Sequence, residues 1–122
     1  MLRVGLKTRN KLLNVIEIGD VTVVRPAGRL LTSPLVVQDL HQELSRLIKV
    51  GRRNILLNLA NVELVSSLMI GQLIGVKNDI WAQDGKLILC NLHPQVQEVF
   101  AITKLEGVFD ISNDEAEALC GF

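Results

Sequence analysis

The sequence predicts one α/β domain, a mixed sheet of about five strands with four helices packed around it. Two observations carry that expectation. Short β-branched or apolar runs alternate with longer stretches whose apolar residues recur at helical spacing. The 122 residues are 48% hydrophobic and 21% charged, a balance suited to a buried core and unsuited to a disordered chain. Alternation of strand and helix implies right-handed parallel crossovers.

The elements follow in order. Asn14 to Ile18 and Val21 to Val24 are β-branched runs joined by Gly19-Asp20, a two-residue hairpin signal. Gly28-Arg29-Leu30 leads to Ser33-Pro34, an N-cap followed by proline at the first helical position. Val37, Leu40, Leu44, Leu47 and Ile48 then line one helix face, and Gly51 ends it. Ile55 to Leu59 is a short apolar run suited to a strand buried on both faces. Ser66-Ser67 opens a second helix with Met69, Leu73, Val76 and Ile80 in one stripe and Ile70, Ile74 and Trp81 beside it. Asp84-Gly85 turns into the strand Lys86 to Cys90. Pro94 starts a third helix, with Val96, Val99, Phe100 and Ile102 expected inward. Val108 to Ile111 reads as a last strand. Ser112 to Glu115 reads as a capping box for a short closing helix through Leu119.

Residues 1–11 form a basic segment, with Arg3, Lys7, Arg9 and Lys11 and no acid, expected to be a flexible tail; residues 12–122 form the domain. The tail is not followed by the unbroken apolar stretch of a signal peptide, and no run approaches the ~20 residues of a membrane span. A cytoplasmic protein with no membrane partner is expected.

Composition argues against several functions. Thirteen basic and thirteen acidic residues leave no net charge, where a nucleic-acid binder needs a basic surplus. Aromatics are 3% with no Tyr, too few for a base-stacking platform. Cys90 and Cys120 are too few for a disulfide framework or a zinc site, and His41 and His93 stand alone, so neither metal nor cofactor is expected. Cys90, ending an apolar strand, is expected to behave as a small hydrophobe. His93 before Pro94 suits a helix cap. Asp79 with Asp84, and Asp110 with Asp114, fall at helix ends or turns, where acids serve as caps. Gly71 and Gly75 have the G-x-x-x-G spacing of close helix packing, expected here against the sheet.

The segment Asn58 to Gly75 is the most informative. A buried strand ends, a loop crosses, and two hydroxyls meet the start of an amphipathic helix. One serine suffices for an N-cap. Two adjacent hydroxyls at the positive end of a helix dipole also suit a phosphate. Leu68, Gln72, Gly75 and Asp79 follow a stripe rotated by about 100° from the buried one. Leu68 is therefore expected to be partly exposed beside the serines.

Asn58-Leu-Ala-Asn-Val, then Glu63-Leu-Val, then Ser66-Ser-Leu-Met-Ile-Gly71 resembles the phosphorylation-site region of STAS domains, the sulphate transporter and anti-sigma factor antagonist family. Gly28-Arg29-Leu30, Asp84-Gly85-Lys86-Leu87, Pro94 to Phe100, Thr103 to Leu105, Val108 to Ile111 and Glu115 to Leu119 extend the resemblance over most of the chain. It implies a STAS-type fold and a binding module, not an enzyme. The implied partner is an anti-sigma factor, often a serine kinase, captured by the unphosphorylated form and released on phosphorylation. Ser67 falls on the family's phosphoacceptor position, with Ser66 the alternative. Ser66, Ser67, Leu68, Glu63 and Gln72 are the candidate partner-binding residues. Where the family carries acids, this chain has Ser66, Asn58 and Leu31. Two other functions stay open: a non-phosphorylated STAS scaffold for constitutive binding or self-association as a homo-oligomer, and a small nucleotide-binding or enzymatic α/β domain. The last would show a polar pocket at the carboxyl ends of the strands.

Overall fold

The computed structural model describes residues 2–3, 13–105 and 107–122. The strands are β1 (Leu2–Arg3), β2 (Leu13–Ile18), β3 (Val21–Pro26), β4 (Leu30–Leu31), β5 (Asn54–Asn58), β6 (Leu64–Val65), β7 (Lys86–Cys90) and β8 (Asp110–Ser112). The helices are α1 (Pro34–Lys49), α2 (Ser67–Ala82), α3 (Pro94–Ile102) and α4 (Glu115–Leu119). The main sheet runs β1-β2-β3-β5-β7-β8, antiparallel across its first three strands and parallel from β3 onward. Its five longer strands match the predicted sheet. β1 is a two-residue addition at the edge, pairing Leu2 with Ile18 and Arg3 with Glu17. The rest of the expected tail lies outside the described residues. β4 and β6 form a separate parallel pair.

Local chemistry explains the main elements. Gly19 takes φ +58° in the β2–β3 turn, which glycine adopts without a side-chain clash. Ser33 caps α1 by its backbone alone, with Pro34 at the first position. All five residues expected on the inner face of α1 are buried. Gly51, at φ +92°, follows that helix as a left-handed stop.

One sheet face packs under α1, α2 and α3. Val24, Leu57, Leu44, Met69, Leu73, Val96 and Phe100 belong to its core, and Phe109 meets Phe100 edge-on at 5.5 Å. The other face is thinner: Val21, Val23, Leu56, Ile88 and Cys90 are covered by Ala118 of α4, with Leu119 and Phe122 beside it. β5 is buried on both faces, as its unbroken apolar run requires.

Several expectations are corrected. Gly71 and Gly75 do not pack against the sheet: both are exposed, with open space where a Cβ would stand. Each lies two residues from Leu73 and so turns away from the buried stripe. Ile102, expected inward, is 71% exposed because it ends α3 after the inner face of Val96 and Phe100 is complete. Trp81, expected beside the buried stripe, is 76% exposed at the last turn of α2. Asp114, not Ser112, caps α4, its carboxylate accepting from the Glu117 amide at 2.8 Å. Ser112 is the last residue of β8, which starts two residues later than expected.

Candidate functional site

β4 and β6 build the frame around the two serines. Leu30 lies opposite Leu64 and Leu31 opposite Val65. Leu31 and Val65 point into the core, while Leu30 and Leu64 are 53% and 44% exposed. The Glu63 amide donates to the Arg29 carbonyl at 2.7 Å, and the Ser66 amide to that of Leu31 at 3.0 Å. Arg29 and Glu63 are also joined through Nε and Oε2 at 2.9 Å. The loop before α2 is thus held along its length by the segment between β3 and α1.

The serines have different tasks. Ser66 is the N-cap of α2: its backbone is extended and its Oγ accepts from the Met69 amide at 3.2 Å. Ser67 is the first helical residue and is exposed. Its hydroxyl stands at the end of the helix where first-turn amides lack intrahelical acceptors and the dipole is positive. Leu68 follows at 45% exposure, and Gln72, one turn on, is half-buried. Glu63 is half-buried with its charge paired to Arg29. Four of the five predicted contact residues therefore lie on one continuous stretch, Ser66 to Gln72, and Glu63 joins them through β6. Arg29, Leu30 and Leu64 lie along the same frame, where two-residue strands leave no periodic signal in the sequence.

The loop is anchored at its other end by Asn58, which is 8% exposed. Asn58 Oδ1 accepts from the Ala60 amide at 2.8 Å, and Nδ2 donates to Glu115 Oε2 at 2.6 Å. Arg25 grips the same carboxylate with Nε at 2.6 Å and Nη2 at 2.7 Å. His93 Nε2 donates to the Ala60 carbonyl at 2.5 Å. The Arg25 guanidinium, aided by the Asn58 amide, holds Glu115 below the usual carboxylate range against the opposing effect of burial. Glu115 in turn raises the Arg25 pKa. Burial, with the nearby charge of Glu115, pushes the Cys90 thiol up to about 12. Cys120 is exposed.

The depressed Glu115 pKa has a definite sign. Its stabilisation is present above the unfolded carboxylate pKa and is lost as pH falls through the lower folded value. Glu115→Gln should cost about 1 kcal/mol near neutrality, a partly solvent-screened amount. The difference from the wild-type protein should shrink in acid, measured by urea unfolding at a series of pH values.

Among the described residues, no three His, Cys, Asp or Glu side chains form a metal-holding group, and no helix is long and apolar enough to cross a membrane. A depression of about 450 Å³ lined by Asn54, Lys77, Trp81, Asp84, Lys86 and Asp110 opens at the amino ends of β5, β7 and β8. Ser67 begins α2 and Trp81 lies in its last turn, so this depression is at the opposite end of that helix.

The STAS domain family model matches residues 13–118, from β2 through the serine loop and into α4. The chain belongs to the STAS domain family. Its relatives include two with the description "putative anti-sigma factor antagonist". The first is BtrV of Bordetella bronchiseptica, 29% identical over 85 residues, 70% of this chain and 73% of that one. The second is tm1081 of Thermotoga maritima, whose crystal structure superposes with a TM-score of 0.82 at 19% identity, over 91% of this chain and 94% of that one. The Bacillus cell fate determinant SpoIIAA in its phosphorylated form gives a TM-score of 0.68 at 22% identity, over 88% and 96%. At these identities the two solved structures speak for the fold. Within this STAS domain, Ser67 is the exposed first residue of α2 and Ser66 is engaged as its cap.

Proposed function

We propose that this STAS domain is an anti-sigma factor antagonist, a cytoplasmic binding module that captures an anti-sigma factor of the serine kinase type and is released by phosphorylation of Ser67. The observation that carries this reading is the division of labour between the serines: Ser66 Oγ is engaged as the cap, while Ser67 is exposed beside Leu68. Leu30 and Leu64 add exposed apolar area on the adjoining β4–β6 pair, and Gln72 and the Arg29–Glu63 pair supply polar contacts. BtrV, described as an anti-sigma factor antagonist, and SpoIIAA, solved in unphosphorylated and phosphorylated forms, support the reading. A phosphate on Ser67 brings about two negative charges and their hydration into an apolar contact.

A constitutive scaffold is the second reading. Asn58, Leu31 and Ser66 favour it, since the acids of the family pattern are missing there. Leu31 is buried against the core and Asn58 is committed to Glu115, so neither contributes negative charge to a kinase. The depression near Trp81 lies away from the carboxyl ends of the strands and lends no support to an enzyme.

Capture from the native cytoplasm, followed by incubation of the recovered partner with ATP and peptide mapping, tests the proposal. Label on Ser67 is the expected result. Label on Ser66 alone would shift the register by one. No label from a kinase that binds the protein would leave the scaffold. Leu68→Asp should keep the fold, because Leu68 lies outside the core, and weaken the captured partner by about tenfold, the scale of a moderate interface contact. Unfolding of that variant, checked by circular dichroism, would count Leu68 as core.

A further inference from the structure

We infer that Glu115, fixed by Arg25, positions the loop that presents Ser66 and Ser67, acting through the side-chain amide of Asn58. The inference rests on the reading of that loop as the partner-binding surface.

Asn58 is buried at the end of β5, and both ends of its side-chain amide are used. The oxygen holds the Ala60 amide at 2.8 Å; the nitrogen meets Glu115 Oε2 at 2.6 Å. Arg25 fixes the same carboxylate with two bonds, Nη2 to Oε1 and Nε to Oε2, the oxygen that Asn58 also meets. The chain Arg25–Glu115–Asn58–Ala60 thus joins β3, α4 and β5 to the first residues of the serine loop. The far end of the loop is held by β4. With both ends pinned, a shift at Ala60 is transmitted along a short path to Ser66.

An amide serves both neighbours, accepting from Ala60 and donating to Glu115. An aspartate at position 58 would still accept from Ala60 but would lose its donor and face the Glu115 carboxylate at hydrogen-bond distance. The chain therefore pairs an amide on β5 with a carboxylate on α4. The STAS pattern puts an acid at the strand position; here an amide stands there, and the hydrogen bond to the loop is kept. Helix α4, which contributes no residue to the exposed serine surface, becomes its support.

The pairing predicts a charge exchange. In Asn58→Asp, the carboxylates oppose each other. In Glu115→Gln, amide donors crowd: Asn58 and Arg25 both donate toward a group with a single acceptor oxygen. In the double variant Asn58→Asp/Glu115→Gln, the new carboxylate on β5 would accept from Ala60 and from the new amide on α4. The oxygen of that amide would accept from Arg25. The link between β5 and α4 is restored with net charge unchanged, at the loss of the Arg25 Nε bond, which in the wild-type protein shares Oε2 with Asn58.

Hydrogen exchange of the amides from Ala60 to Ser66 is the direct readout, with Ile88→Val as a control for lost stability on the same sheet face. Exchange at Ala60 should speed up at least tenfold in Asn58→Asp relative to that control, and return to within about threefold of wild type in the double variant. Affinity for the anti-sigma protein recovered by capture should fall and recover in parallel. A double variant no better protected than Asn58→Asp, or loop exchange in Asn58→Asp no faster than in Ile88→Val, would overturn the inference. Loop protection that falls and recovers in a chain that binds no anti-sigma protein would uphold the positioning and refute the functional reading alone.

Discussion

Ser67→Asp should lower affinity for the anti-sigma partner about a hundredfold, corresponding to about 2–3 kcal/mol, while the melting temperature moves by only a few degrees. The two halves of that expectation have separate causes. Ser67 is the first residue of α2, where a carboxylate is favoured by the helix dipole, so the fold tolerates the charge. The same charge stands beside Leu68 and near the exposed Leu30–Leu64 pair, where a partner would have to strip its hydration. Ser67→Ala should bind normally and resist labelling, because the N-cap bond belongs to Ser66. Titration calorimetry of the three proteins checks binding; differential scanning calorimetry checks the fold. Normal binding by Ser67→Asp would remove Ser67 from the contact.

Gly85→Ala should be the most destabilising single methyl addition, by about 3 kcal/mol. A Cβ at Gly85 would lie 2.2 Å from the Arg53 carbonyl oxygen and 2.8 Å from Ile80 Cγ2. The carbonyl is backbone and already accepts from the Lys86 amide at 2.9 Å, so it cannot retreat without breaking the start of the β5–β7 ladder. Asp84 just before it is held at φ +60°, so the turn has little freedom to open. Gly75→Ala provides the contrast: a Cβ there meets nothing within 4 Å, and the helical propensity of alanine should make the change neutral or stabilising by up to about 1 kcal/mol. Urea midpoints at constant m-value measure both.

The parts of the fold and site legible in the sequence are those written locally. The inner face of α1, its proline start and the Gly19 turn follow from spacing and conformational preference. The placement of Ser67 follows from the same kind of signal, two hydroxyls before an apolar periodic run. Leu68 could be placed at the surface because helical geometry rotates it off the Met69–Leu73 stripe. That geometry also turns Gly71 and Gly75 outward, and the familiar G-x-x-x-G spacing obscured it. What could not be read is long-range. Arg25 and Glu115 are separated by 90 residues, and Asn58 and Glu115 by 57; nothing in either neighbourhood announces the other. Glu115 instead presents locally as a helix-start acid. The β4–β6 pair is too short to carry a pattern, so the frame around the serines appears only when the chain is folded.

The burial of Cys90 has a kinetic meaning. Its thiol is ionised only near pH 12 and lies beneath α4, while Cys120 is open to solvent. An alkylating reagent at neutral pH would therefore mark Cys120 at once and reach Cys90 only when the thin α4 layer lifts from the sheet. The second mass increment becomes an internal clock for that event. A five-residue helix is a small lid, and its opening frequency would record how often the support beneath the serine loop is released in a population of otherwise folded molecules.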